Sequence, residues 1–164
     1  MIFVTVGGRG YPFNRLFEKL DELIDQGVIK EKILAQIGTS TYLPKNYQYT
    51  DFVTQEEFAE RINQAEIVIS HGASGSIMKA LNAKKKVIVV ARLEKYGEHI
   101  DDHQVQINEA FGAGNYVVSA SDLDTLGEAY LKIMNREISL KEWKNDDKVA
   151  VVNAIDNFIK ENWF

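Results

Sequence analysis

Residues 66–76 read Glu66-Ile67-Val68-Ile69-Ser70-His71-Gly72-Ala73-Ser74-Gly75-Ser76. A short apolar run of β-branched residues gives way to a Gly/Ser turn, and a helix is predicted from about Gly75 to Ala83. An apolar run that lacks alternation reads as a strand buried on both faces. Small residues behind a strand let backbone N–H groups come close to an anion, and the following helix points its positive end at the same place. The alternative is a tight strand-to-helix turn with a capping serine.

The same unit recurs outward. Ile2–Val6 is a second buried strand, followed by the loop Gly7-Gly8-Arg9-Gly10 and a helix opened by Pro12 and ended by Gly27. Further strands are predicted at Ile33–Ile37, Tyr47–Val53, Lys86–Ala91 and Tyr116–Val118. Thr54 and Glu57 form a capping box for a helix through about Asn63. Asp101–Ala110 is read as helix with Asp101 and Asp102 as caps, and Asp122 caps another through Asn135. Strands alternating with helices give an α/β fold: a Rossmann-like parallel sheet of about six strands with helices on both faces. Ligands of such sheets bind at the carboxyl ends of the strands. Those ends are Gly7–Arg9, Gly38–Ser40, Ser70–Ser76 and Ala91–Gly97.

All three histidines lie in two segments. One is the turn above. The other is Gly97-Glu98-His99-Ile100-Asp101-Asp102-His103-Gln104, which opens the next helix; a solvated helix start is its plainer reading. His71 and the hydroxyls of Ser74 and Ser76 can hydrogen-bond a phosphate, and Gln104 can donate to and accept from sugar hydroxyls. Together the segments read as a site for a nucleoside diphosphate carrying a polyhydroxy group. His99 and His103 have i, i+4 spacing, but the helix is expected to begin after His99, so they need not share a face, and no metal site is expected. The sequence also lacks a phosphate-loop motif and a dinucleotide fingerprint.

The chain has 164 residues with 45% hydrophobic and 26% charged, which suits one domain. Its net charge is −5 and no basic cluster is evident, which argues against a nucleic-acid partner. There are no cysteines, so disulfides and thiolate sites are excluded. No apolar run nears the roughly 20 residues of a membrane span. A soluble, cytoplasmic protein is expected. From Ser139 the chain changes character. Val149, Val152, Ile155, Ile159 and Trp163 make one stripe of a C-terminal helix within 139–164, which either docks on the same domain or offers its end to a partner.

Three stretches, Met1–Leu16, Val68–Leu81 and Val89–Gln104, resemble the PssE/EpsF-type glycosyltransferase subunits of capsule and exopolysaccharide synthesis. More distantly the chain is similar to the C-terminal half of MurG and to the soluble subunit of the dolichol-linked N-acetylglucosaminyltransferase. The resemblance implies one half of a GT-B glycosyltransferase, the half that binds a UDP-sugar donor. It implies a separate membrane-anchored PssD-type acceptor subunit, which would hold this chain at the inner face of the plasma membrane. The implied reaction is inverting transfer to an undecaprenyl-diphosphate-linked saccharide, without cofactor or required metal. It assigns Gly7, Gly8 and Arg9 to the first phosphate-facing loop. His71, as the catalytic residue, Gly72, Ser74, Gly75 and Ser76 fall to the diphosphate, and His103 and Gln104 to the donor sugar. Glu98 and His99 fall to the loop entering the site, and the general base to the partner. Lys79 stands where relatives carry a ribose-binding Glu. Two alternatives remain: a self-sufficient UDP-sugar enzyme such as an epimerase or hydrolase, and a non-catalytic nucleotide-sugar module. Without its partner the chain could form a homodimer.

Overall fold

The computed structural model describes residues 1–144 and, beyond them, 152–153, 155–157 and 159–160. Six strands form one parallel sheet: β1 (Ile2–Thr5), β2 (Ile33–Gln36), β3 (Gln48–Thr50), β4 (Ile67–Ser70), β5 (Lys86–Val90) and β6 (Val118–Ala120). Their order is β3-β2-β1-β4-β5-β6. The chain thus steps outward from β1 in one direction and from β4 in the other, and the carboxyl ends of these two neighbours form the switch point where ligands of such sheets bind.

Helices α1 (Asn14–Asp25), α2 (Gln55–Gln64), α3 (Ser74–Asn82), α4 (His103–Ala113) and α5 (Leu126–Met134) cover the sheet. Alternate strand residues feed two cores, as the pleat requires. Ile2, Val4, Ile67, Ile69, Ile88 and Val90 pack with Leu16, Leu20, Leu126 and Tyr130 of α1 and α5. Phe3, Val68, Val87 and Val89 pack with Ile62, Ile77, Leu81 and Phe111 of α2, α3 and α4. The central strands β1, β4 and β5 are therefore buried on both sides, which is why they read as unbroken apolar runs, whereas the edge strand β3 is exposed.

Several boundaries differ from the sequence reading. α1 starts at Asn14, because the Phe13 N–H is taken by Ser40 Oγ at 2.9 Å and Asn14 Oδ1 accepts from Thr41 N–H at 2.8 Å. The last strand begins at Val118: the Tyr116 N–H still bonds to the Phe111 carbonyl at 3.2 Å, and Tyr116 and Val117 pack in the second core. Asp122 caps a 3-10 turn, Leu123–Thr125, which leads into α5. The capping box of Thr54 and Glu57 is formed as expected.

Trp143 is buried against Phe111 and Tyr116, and Ile155 packs on the same core, while Val152 and Ile159 are exposed. Of the C-terminal stripe, Val149 and Trp163 lie outside the described residues. The fold also makes a basic cluster that the sequence reading did not find. Lys84, Lys85, Lys86, Arg136 and Lys141 surround a cleft of about 420 Å³. Lys84 and Arg136 directly follow the carboxyl ends of α3 and α5, with φ of 58° and 56°. Cations there meet the negative helix ends. Among the described residues no helix is long and apolar enough to cross a membrane.

Candidate active site

At the switch point the loop after β1 (Gly7, Gly8, Arg9), the turn after β4 (His71–Ser76) and the start of α4 enclose a cleft of about 590 Å³. His71, Gly72, Ser74, Gly75, Ser76, His99, His103 and Gln104 all line it, so eleven of the twelve residues expected from the sequence come together. Glu98 is the exception.

α3 opens the cleft's floor. Its N-cap is Ala73, which has no side-chain acceptor, so the helix end is uncapped. Ser76 and Ile77 give their N–H groups to the Ala73 carbonyl, both at 3.1 Å. The N–H groups of Ser74 and Gly75 have no partner among the described residues. Open N–H groups at a positive helix end are an anion site in form. Arg9 and Lys79 add two cations to the lining. Lys79 Nζ also lies 5.1 Å above the Phe58 ring, so this side chain is turned to the domain and not simply outward.

His71 is 4% exposed. Its Nδ1 lies 3.3 Å from the Thr5 carbonyl. A carbonyl only accepts, so Nδ1 carries the hydrogen and Nε2 is left with a lone pair. Burial, reinforced by the charge of Arg92 and resisted by the Thr5 bond, pushes its pKa down to about 3. In the free chain His71 is therefore neutral, and the cationic part of any charge balance falls to Arg9, Lys79 and the α3 end. Gly7 sits against this ring: at φ +70° a Cβ there would lie 2.9 Å from His71 Cε1. Gly72, at φ +84°, backs onto Asn108, whose Oδ1 would be 2.5 Å from a Cβ. Both positions require glycine for backbone and space.

α4 supplies Gln104. Its Oε1 accepts the backbone N–H of Arg92 at 3.1 Å. Only an oxygen can meet an N–H, so the amide is oriented and its NH2 remains as a donor. The sequence reading gave Gln104 both roles; the fold leaves it chiefly the donating one. Asp101 Oδ1 accepts from His99 Nδ1 at 3.0 Å and from the His103 N–H at 3.1 Å. Asp102 is the N-cap residue, but its carboxylate turns to the Glu94 N–H at 2.9 Å. Among the described residues no group of three or more His, Asp or Glu side chains is placed to hold a metal.

Glu98, expected on the substrate, lies outside the cleft lining. It is buried, taken by Arg15 through two bonds of 2.6 and 2.7 Å, and it accepts from the Leu93 N–H at 3.0 Å. It pins the loop after β5 to α1 and so fixes where His99 stands. Arg92 was missed in the sequence. Its guanidinium is buried, donates to the Tyr11 carbonyl at 2.7 Å and ties the loop after β1 to the loop after β5. An arginine directly behind an apolar strand was the signal available. Asn108 left none, since a polar residue in the middle of a helix is usually solvated.

Fold and site together define a Rossmann-like α/β domain with an anion-receptive cleft at its switch point. Residues 1–158 match the glycosyltransferase family 28 C-terminal domain, and the chain belongs to that family; it is a glycosyltransferase domain. It is 26% identical over 148 residues to the UDP-N-acetylglucosamine transferase subunit ALG13 of Yarrowia lipolytica, spanning 84% of this chain and 73% of that protein. The solution structure of ALG13 matches with a TM-score of 0.60 and 21% identity, over 94% of this chain and 96% of that one. MurG of Acinetobacter baumannii matches with a TM-score of 0.58 and 16% identity, over 96% of this chain and 49% of that one. The glycosyltransferase SnogD of Streptomyces nogalater gives 0.58 and 15%, over 96% and 39%. The chain thus spans half or less of these last two proteins. The structural likenesses carry the fold.

Proposed function

We propose that this chain is the donor-binding subunit of a two-chain inverting glycosyltransferase that takes its sugar from a UDP-sugar. The observation that carries the reading is the uncapped end of α3, facing a cleft with two cations and glycine-lined approaches, in a chain of family 28. A relative described as a transferase subunit supports a split enzyme. We assign the chain to the PssE/EpsF type, acting on an undecaprenyl-diphosphate-linked saccharide in capsule or exopolysaccharide synthesis. A membrane-anchored PssD-type subunit would present that acceptor and hold this chain at the inner membrane face.

The chemistry is a displacement. An acceptor hydroxyl attacks the anomeric carbon, the bond to the β-phosphate oxygen breaks, and the electron pair leaves with UDP. The open N–H groups of Ser74 and Gly75, with Arg9 and Lys79, offset the charge that develops there, and such preorganised electrostatics is often the largest catalytic contribution. His71, neutral and with its N–H on the Thr5 carbonyl, shapes the diphosphate pocket by packing against Gly7 of the first loop, and Gln104 donates to the donor sugar. No metal or cofactor is required.

The test is sugar transfer to a lipid-linked acceptor by the purified chain, with and without its membrane-anchored partner. The proposal expects little turnover alone and robust turnover by the pair. Robust transfer by the chain alone would refute the split enzyme; none by the pair with any UDP-sugar would refute the function.

A further inference from the structure

His99 and Asp101 form a pair that the reading above leaves without a role. The Nδ1 of His99 faces two acceptors, the Asp101 carboxylate at 3.0 Å and the Asp101 carbonyl at 3.2 Å. Nδ1 therefore carries the hydrogen and Nε2 holds the lone pair. Nε2 has no hydrogen bond among the described residues, and His99 lines the cleft. The ring is held in place: Tyr11 packs on it at 5.3 Å, and the Tyr11 carbonyl is in turn held by Arg92. Glu98, clamped by Arg15, fixes the preceding residue.

The chain has two other histidines. His71 has the same tautomer, but its Nδ1–H rests on a neutral carbonyl, and the Arg92 charge opposes a proton on the ring. His103 is largely exposed, with Nε2 3.7 Å from Asp101 Oδ2. Only His99 combines a largely shielded ring, its side chain 9% exposed, with a free lone pair at the cleft and a carboxylate behind it. That arrangement lets an imidazole accept a proton while the carboxylate balances the imidazolium formed.

We infer that His99 is the proton acceptor of the transfer reaction and Asp101 its positioning residue, an inference that rests on the function proposed above. As the acceptor oxygen bonds to the anomeric carbon, its proton passes to His99 Nε2. The bond to the diphosphate breaks and its electrons leave with the nucleotide. The imidazolium, its Nδ1–H still on Asp101, then gives the proton to water. The base that the sequence reading expects from the partner is thereby supplied by this chain. The charged and titratable groups that share the cleft with the pair are His103 on its own segment, Arg9 from the loop after β1, and His71 and Lys79 from the β4–α3 side; Tyr11 stacks on His99 and is held by Arg92.

The experiment is kcat and donor KM against pH for the reconstituted pair of subunits, with wild type, His99→Asn and Asp101→Asn. Asparagine retains a donor in the place of Nδ1 and removes Nε2. The expected result for His99→Asn is a fall in kcat of about 100-fold or more, an unchanged donor KM and loss of the acidic limb of the rate profile. Asp101→Asn should lower kcat about 10-fold or more and move that limb. If His99→Asn retains kcat within about threefold and the limb persists, the inference falls while the function stands. If the wild-type pair transfers no sugar, both fall. As a check that needs no variant, nitrogen-15 spectra of the His99 ring in the free chain should show Nδ1 protonated; the opposite tautomer would overturn the assignment.

Discussion

Arg15 and Glu98, 83 residues apart, are joined by two hydrogen bonds of 2.6 and 2.7 Å, and the carboxylate is almost fully buried. The Arg15 guanidinium also lies 4.0 Å above the Tyr96 ring. This clamp couples α1 to the loop that carries His99, so its strength sets how firmly one wall of the cleft is held.

Removing one member should be costly. Arg15→Ala leaves the Glu98 carboxylate short of its main partner, and breaking a buried pair costs about 3–5 kcal/mol. Arg15 is itself partly exposed, so the loss should lie at the lower end. Urea denaturation should show this loss of stability. Glu98→Gln, which retains shape and hydrogen-bonding ability, should lose less.

The two left-handed glycines at the cleft should be intolerant and their neighbour indifferent. Gly7→Ala meets the His71 ring and Gly72→Ala meets the Asn108 amide, each at positive φ. Each should cost about 1–3 kcal/mol in stability and weaken UDP binding. Nothing lies within 4 Å of a Cβ at Gly8, so Gly8→Ala should stay within about 0.5 kcal/mol of wild type. Thermal melts with and without UDP decide it.

His71 makes stability depend on pH. Its folded pKa is lowered to about 3 from 6.5, so between these values the unfolded chain binds more protons than the folded one. The contribution is complete above about pH 6.5 and is lost as pH falls toward 3. Between pH 7.5 and 5 it amounts to about 2 kcal/mol. Urea midpoints at the two pH values should therefore fall further for wild type than for His71→Asn. Equal falls would show that His71 is not held neutral.

Trp143 lies with the basic cleft at the amino end of β5, away from the carboxyl-end site. Trp143→Ala, which empties a packed place between Phe111 and Tyr116, should cost about 3–5 kcal/mol. UDP affinity, measured well below the melting temperature, should be unchanged.

The sheet was legible because strands buried on both faces carry uninterrupted apolar runs, and because Gly/Ser turns fall directly behind two of them. The gathering of Gly7, His71 and Gln104 followed from their segments lying behind the carboxyl ends of strands of one parallel sheet. What lay hidden depends on partners distant in sequence. Glu98 sits in the most distinctive motif of the chain, and nothing near it tells that Arg15 will take its carboxylate. The orientation of Gln104 depends on one backbone N–H of Arg92. The basic cluster escaped notice because Lys84–Lys86, Arg136 and Lys141 are separated in sequence and meet only where α3 and α5 end. The last strand was placed two residues early because Tyr116 and Val117 are as apolar as strand residues, yet pack behind α4.

The central claim is that the cleft at the end of α3 binds a UDP-sugar. Calorimetric titration of the purified chain with UDP, UDP-galactose, UDP-glucose, UDP-glucuronic acid and UDP-N-acetylglucosamine tests it most directly, with His71→Ala alongside. The account predicts that UDP and at least one UDP-sugar bind, weakly but saturably, and that His71→Ala weakens both. Absence of binding by every nucleotide at millimolar concentration, to the chain and to its complex with the partner subunit, would contradict it.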